Sequence, residues 1–204
     1  MLHFLLPEPN SSSPPMFRNR FIDRFSRVHP ASVPILYVPA VGVLLYWSLV
    51  RAGVSPLATV GLAAGGFVAW TLTEYWLHRC LFHWVPRAPW GRRMHFLLHG
   101  VHHDYPNDRL RLVMPTFVSV SLFWLFLGLY VLLFGRFAWA FHAGFVAGYI
   151  FYDMGHYYLH HFQPRWKWAR AWKRHHMMHH AEKIAGDRKF GVSSTLWDHV
   201  FGTY

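Results

Sequence analysis

Four long apolar runs alternate with polar segments along this chain. Val33–Val50 extends for 18 residues without a charge, Leu57–Thr73 for 17 before Glu74, Val113–Phe134 for 22, and Phe137–Tyr152 for 16, interrupted only by His142. At about 1.5 Å per helical residue such runs cover roughly 24–33 Å, close to the ~30 Å hydrocarbon core of a bilayer. The third is long for a core helix of a soluble bundle. The fourth gains length if its helix continues through His160. Pro34, Pro39, Gly42, Gly61, Gly65 and Gly66 interrupt the first two runs, as membrane helices tolerate. The links Arg51–Pro56 and Gly135–Arg136 are so short that runs one and two, and runs three and four, must form helical hairpins. The pattern predicts an all-α integral membrane protein with four transmembrane helices, capped by helices from the middle segment and the tail.

Charge orients these helices. Hydrophobic residues make up 53% of the 204 and charged residues 14%, against about 25% in ordinary globules, which argues against a soluble domain and against disorder. One cysteine, Cys80, excludes a disulfide scaffold. Of the 20 Lys and Arg, 18 fall in the N-terminal segment, the middle segment and the tail, leaving Arg51 and Arg136 for the hairpin tips. The positive-inside rule therefore places both termini and the cap in the cytoplasm, at a bacterial inner membrane or the endoplasmic reticulum. The net charge of +11 follows from topology, and no nucleic-acid partner is needed. Residues 1–32 read as a Pro/Ser-rich tail without a signal-peptide n-region, followed by a basic interfacial amphipathic helix near Arg18–Arg27. Residues 33–204 form the single remaining domain.

Histidine carries the chemistry. Sixteen of the 17 lie on the basic side, and ten of these fall in four spaced groups. His78 and His83 form HRCLFH, and His99, His102 and His103 form HGVHH. His156 and His160 lie in HYYLHH, and His176, His179 and His180 in HMMHH. Helical spacing puts i, i+3 and i+4 on one face, so each HxxHH presents three imidazoles to one point. Converging groups can surround one or two metal ions. At this histidine frequency about 0.1 chance HxxHH matches are expected, against two observed. His78 and His83 lie about 140° apart on an α-helix, so a bend or helix end must bring them together. His3, His29, His142 and His199 read as packing or interfacial residues, while His95, His161 and His175 sit beside the ligand groups. Imidazole suits Zn, Cu, Fe and Ni. A protease-type HExxH is absent, and none of the nine carboxylates forms a Glu-x-x-His motif. Ser193 and Ser194 make no compelling triad. Glu74 precedes His78 by four residues and Asp153 precedes His156 by three, so either can orient a ligating ring through its second nitrogen. Asp104, Asp108 and Asp198 can do the same, or pair with Arg109, Arg111 and the basic tail. Cys80, Met177 and Met178 read as packing, and Tyr152, Tyr157 and Tyr158 as belt aromatics or the substrate mouth.

The strings WLHRCLFH, HFLLHGVHHDYPNDRLRLVMP, YDMGHYYLHH, HHMMHH and GVSSTLWDHVFGT resemble the fatty acid 2-hydroxylase branch of the fatty acid hydroxylase/sterol desaturase superfamily. The resemblance covers about Thr71–Tyr204. It implies a membrane-bound di-iron oxygenase that uses O2 to hydroxylate carbon 2 of a long-chain fatty acid or acyl lipid, with zinc able to replace iron in purified protein. The implied ligands are His78, His83, His99, His102, His103, His156, His160, His176, His179 and His180. Glu74, Asp153, His161, His95 and Asp198 are expected around them. Relatives often carry a cytochrome b5-like domain. None is recognisable here, so a separate electron-transfer protein and reductase are expected as partners, with the acyl lipid and the bilayer. The alternatives are a sterol or carotenoid hydroxylase or desaturase of the same superfamily, a bis-histidine haem membrane cytochrome, and a metal transporter. Haem ligands normally lie within spans, and a transporter needs polar residues through the bilayer.

Overall fold

A computed structural model describes residues 13–181 and 188–204; His3, Lys183 and most of the N-terminal tail lie outside them. The described residues are helical, with no strand. The elements are α1 (Arg20–Phe25), α2 (Ser32–Tyr46), α3 (Pro56–Leu77), α4 (Gly91–His95), α5 (Val101–Asp104), α6 (Thr116–Phe134), α7 (Ala138–His161), α8 (Lys167–His180) and α9 (Leu196–Val200). Three stretches are long and apolar enough to cross a membrane: Ser32–Arg51, Pro56–Phe82 and Thr116–His161. The third is two helices. Gly135, at φ +53°, ends α6, and the chain folds back so that Tyr130 meets Phe141 at 4.9 Å and Phe123 meets His142 at 4.7 Å between ring centroids. As expected, the last apolar helix continues to His161.

α7 is the central helix, packed against α2, α3 and α6. Glycine permits its close approach to α3: a Cβ on Gly144 would lie 1.7 Å from the Ala63 carbonyl oxygen, and one on Gly66 would lie 1.9 Å from that of Phe141. Small residues let apolar helices pack where burial from water supplies no drive. Phe145, Val146 and Tyr149 of α7 are buried against Trp70 and Tyr37, whereas Leu57, Val60, Trp124, Leu125 and Leu132 face outward. The bundle is thus apolar on the outside as well, the signature of a lipid-facing surface.

α1 is shorter than the sequence suggests. Asn19 caps it by accepting from the Phe21 and Ile22 amides at 2.9 and 3.3 Å. Phe21 and Phe25 point outward while Asp23 turns in to Arg111 at 3.2 Å. Asp108 accepts from the Ser13 hydroxyl at 2.6 Å and lies 3.5 Å from Arg27. These charges strap the N-terminal segment onto the loop between α5 and α6.

Candidate metal centre

The ten histidines of the four spaced groups meet at the ends of α3 and α7. They form two clusters of five. His78, His83, His99, His103 and His179 make the first, and His102, His156, His160, His176 and His180 the second; within each, all candidate ligand atoms lie within 4.8 Å of one another. The clusters abut, with His103 of the first stacked on His180 of the second at 4.3 Å.

Local backbone geometry explains who joins whom. The turn after α3, His78–Phe82, is π-helical, and the His83 amide reaches the His78 carbonyl at 3.3 Å. An i→i+5 turn brings residues five apart onto one side, so the HRCLFH spacing closes through a widened turn rather than a bend. Cys80, two residues after His78, falls on the opposite face and is exposed, not packed between ligands. The HxxHH boxes do not aim three rings at one point. At about 100° per residue, i and i+4 differ by about 40°, but i+3 and i+4 by about 100°. His99 and His103 therefore share the first cluster while His102 joins the second. Likewise His176 and His180 share the second while His179 joins the first.

The nitrogens fit a cation. In the first cluster the Nε2 atoms of His78 and His99, of His83 and His179, and of His99 and His103 stand 3.0, 3.0 and 2.9 Å apart. In the second, His160 and His176 stand at 2.8 Å and His176 and His180 at 3.2 Å. Two nitrogens each about 2.1 Å from one ion, at right angles, would be about 3.0 Å apart. Carbonyls only accept, so His78, whose Nδ1 donates to the Phe190 carbonyl at 2.5 Å, and His179, whose Nδ1 donates to that of Arg188 at 2.8 Å, turn unprotonated Nε2 atoms inward. Burial, and then the neighbouring His179, lower His83 from the ordinary 6.5 to about 3 and His103 to about 2. The rings are neutral at pH 7, and no proton holds their lone pairs together. The buried Nε2 atoms of His102 and His156 have no hydrogen-bond partner among the described residues. Such orphaned nitrogens cost roughly 1–3 kcal/mol each unless something binds them. With no carboxylate in either five, the donor set suits a first-row transition ion, not Mg or Ca.

The expected supporting residues behave differently. Among the described residues Glu74 makes no hydrogen bond to a cluster imidazole. It accepts from the Val192 and Ser193 amides at 2.6 and 2.8 Å and from the Ser193 hydroxyl, because it faces the returning tail rather than the helix end. Asp153 accepts from the Met114 amide at 3.5 Å, since three residues back from His156 it faces the loop that leads into α6. Asp198 binds His175, the Phe190 and Gly191 amides and the Thr203 hydroxyl. His161 packs on Tyr157 with the rings tilted, 4.4 Å between centroids, and His95 packs beside Gly100; neither joins a cluster. The sequence offered no sign of the Arg188 and Phe190 carbonyls, which are backbone atoms.

Comparison with known proteins decides the class. Residues 63–203 match the fatty acid hydroxylase family profile. The chain belongs to the fatty acid hydroxylase family. Among the hydroxylases it resembles is a dihydroceramide fatty acyl 2-hydroxylase of Arabidopsis thaliana, 38% identical over 93% of this chain and 79% of that protein. A ceramide very long chain fatty acid hydroxylase of Saccharomyces cerevisiae is 38% identical over 94% of this chain and half of its own length. A fatty acid 2-hydroxylase of Rattus norvegicus is 36% identical over 92% of this chain and 56% of that protein. The solved structure of full-length scs7p, in which only the hydroxylase domain is visible, superposes with a TM-score of 0.85 at 36% identity, covering 96% of this chain and 73% of that one. This hydroxylase is therefore an oxygenase of lipid metabolism, and its outward apolar helices suit it to a membrane.

Proposed function

We propose that this chain hydroxylates carbon 2 of a long-chain fatty acyl lipid, using O2, two iron ions and electrons from a separate donor protein. The observation that carries the proposal is the pair of adjoining all-imidazole clusters at the ends of α3 and α7. The ten histidines would hold one ion per cluster, and zinc would compete for the same nitrogens. When bound, the ions would supply the redox chemistry that splits O2 between an acyl C–H bond and water. The chain's own groups bind and orient: two backbone carbonyls fix the Nδ1 protons of His78 and His179, and near-complete burial of His78, His176 and His179 keeps bulk water off the rings. Carbon 2 lies next to the polar head of the lipid. A centre where apolar helices emerge into a basic cap matches that shallow depth. The relatives' names support an acyl chain carried on ceramide or dihydroceramide.

The same proposal includes four membrane crossings, by α2, α3, α6 and α7, with the centre, the cap and both termini cytoplasmic. The distribution of Lys and Arg supports this orientation. α1 with its outward Phe21 and Phe25 would lie at the interface. The test is lipid mass spectrometry of cells with and without the chain. A gain of one oxygen at carbon 2 of acyl chains is expected; a new double bond or a modified ring would reject the proposal.

A further inference from the structure

Among the described residues, the tail segment Arg188–Ser193 sends its hydrogen bonds to rings of the first cluster. Its Arg188 and Phe190 carbonyls accept from the Nδ1 atoms of His179 and His78, both in the first cluster. In the second cluster the Nδ1 atoms of His156, His176 and His180 have no hydrogen-bond partner among the described residues. The two five-histidine sites therefore differ in what fixes their rings.

Two buried carboxylates hold that segment in place. Asp198, fully buried, takes the Phe190 amide on Oδ1 at 2.9 Å and the Gly191 amide on Oδ2 at 3.0 Å. Thr203 donates to Oδ1 at 2.7 Å, and His175 lies 3.1 Å from Oδ2. Glu74 takes the next two amides, Val192 and Ser193, on Oε1, and the Ser193 hydroxyl on Oε2. Trp172 donates to the Val192 carbonyl at 2.5 Å, and the Lys189 amide to that of Thr203 at 2.8 Å. Lys189 sits at φ +62°, a left-handed conformation that a non-glycine residue keeps only when its surroundings fix it. Gly191 leaves no room to shift, since a Cβ there would lie 2.1 Å from the Ser194 carbonyl oxygen.

We propose that Glu74 and Asp198 are positioning residues that clamp Arg188–Ser193 so that its carbonyls fix the tautomer and pose of His78 and His179, and that the clamp governs metal retention at the first cluster only. The proposal rests on the metal-binding reading above. The hydrogen bonds make the two carboxylates unequal under conservative substitution. Asp198→Asn must turn an NH2 group against a backbone N–H, because both of its oxygens accept from amides. Glu74→Gln can keep its oxygen on the two amides and present NH2 to the Ser193 oxygen, so it preserves the clamp.

The experiment reconstitutes purified full-length chain with iron and measures ions per chain and their release to a chelator. The wild type should hold two. Asp198→Asn should release one of them about 10- to 100-fold faster and keep the other, the usual effect of losing an outer partner of a ligating histidine. Glu74→Gln should match the wild type and Glu74→Ala should match Asp198→Asn. Adding His160→Ala, in the second cluster, to Asp198→Asn should weaken both ions. If Asp198→Asn does not fold, Trp172→Phe, which removes a single bond to Val192, should speed release of one ion several-fold. Unchanged release in Asp198→Asn and Glu74→Ala, or equal weakening of both ions by a clamp substitution alone, overturns the clamp while leaving the two-metal proposal standing. A wild type that binds no iron overturns both.

Discussion

His142 is fully buried among apolar helices, and neither of its ring nitrogens has a partner among the described residues. It packs on Phe123 at 4.7 Å, 14 residues before the first cluster histidine of α7. A buried unpaired polar ring is a cost, and an apolar ring of similar shape removes it. His142→Phe should therefore keep two metals per chain and a melting temperature no lower than the wild type; metal loss would show that this histidine serves the centre. His179→Ala should do the opposite, releasing metal and abolishing product together, as metal analysis and product assay will show. Acid should act on the clustered rings themselves. In metal-free protein His83 and His103 hold their protons only near pH 3 and pH 2, because burial and then His179 oppose their charge, whereas unfolded imidazoles protonate near 6.5. As pH falls below about 6.5 the unfolded chain gains protons that the folded chain refuses, so stability drops with pH down to the folded values. Thermal melts of apo protein between pH 7.5 and pH 4 should fall steadily. A flat profile would mean that the rings are exposed.

Helix pairing sets the distance between the two clusters. α3 delivers His78 and, through its π turn, His83, while α7 delivers His156 and His160. Gly144 and Gly66 let these helices touch, and a Cβ at 144 would overlap the Ala63 carbonyl. Gly144→Leu must push the helices apart, at about 3 kcal/mol or more. It should lower the melting temperature and the metal content together, whereas Gly128→Leu, on α6 with open space around its Cβ, should change neither. Much of this was legible in the sequence. Uncharged run lengths gave the four helices, and histidine spacing gave the ten residues that gather. The sharing of each HxxHH between two clusters was not anticipated, because treating i, i+3 and i+4 as one face ignores the 100° between His102 and His103. Most partners of Glu74 and Asp198 were hidden for another reason: four of them are amides of residues 190–193, and backbone atoms leave no mark in sequence.

At the scale of the whole molecule, charge, apolar surface and centre must agree on one orientation. Both histidine clusters, the cap helix α8 and the N-terminal strap of Asp23, Asp108 and Arg111 lie in or beside segments that carry nearly all the Lys and Arg. The two remaining arginines mark the hairpin tips: Arg51 follows α2, and Arg136 sits in the turn between α6 and α7. If four helices cross the bilayer, both tips lie on the face opposite the centre, about 30 Å away. Cys80 is exposed at the centre's end of α3, so it has to be replaced before single cysteines report sides. In a Cys80→Ser background, expressed in a bacterial inner membrane whose outer face the reagent reaches, Arg51→Cys and Arg136→Cys should react with a membrane-impermeant maleimide in intact cells. Arg174→Cys, on α8, should react only after the membrane is opened. Labelling of position 174 in intact cells, or protection of either tip, would break the link between basic residues and the cytoplasm, and the donor protein would then have to reach the centre from the other face.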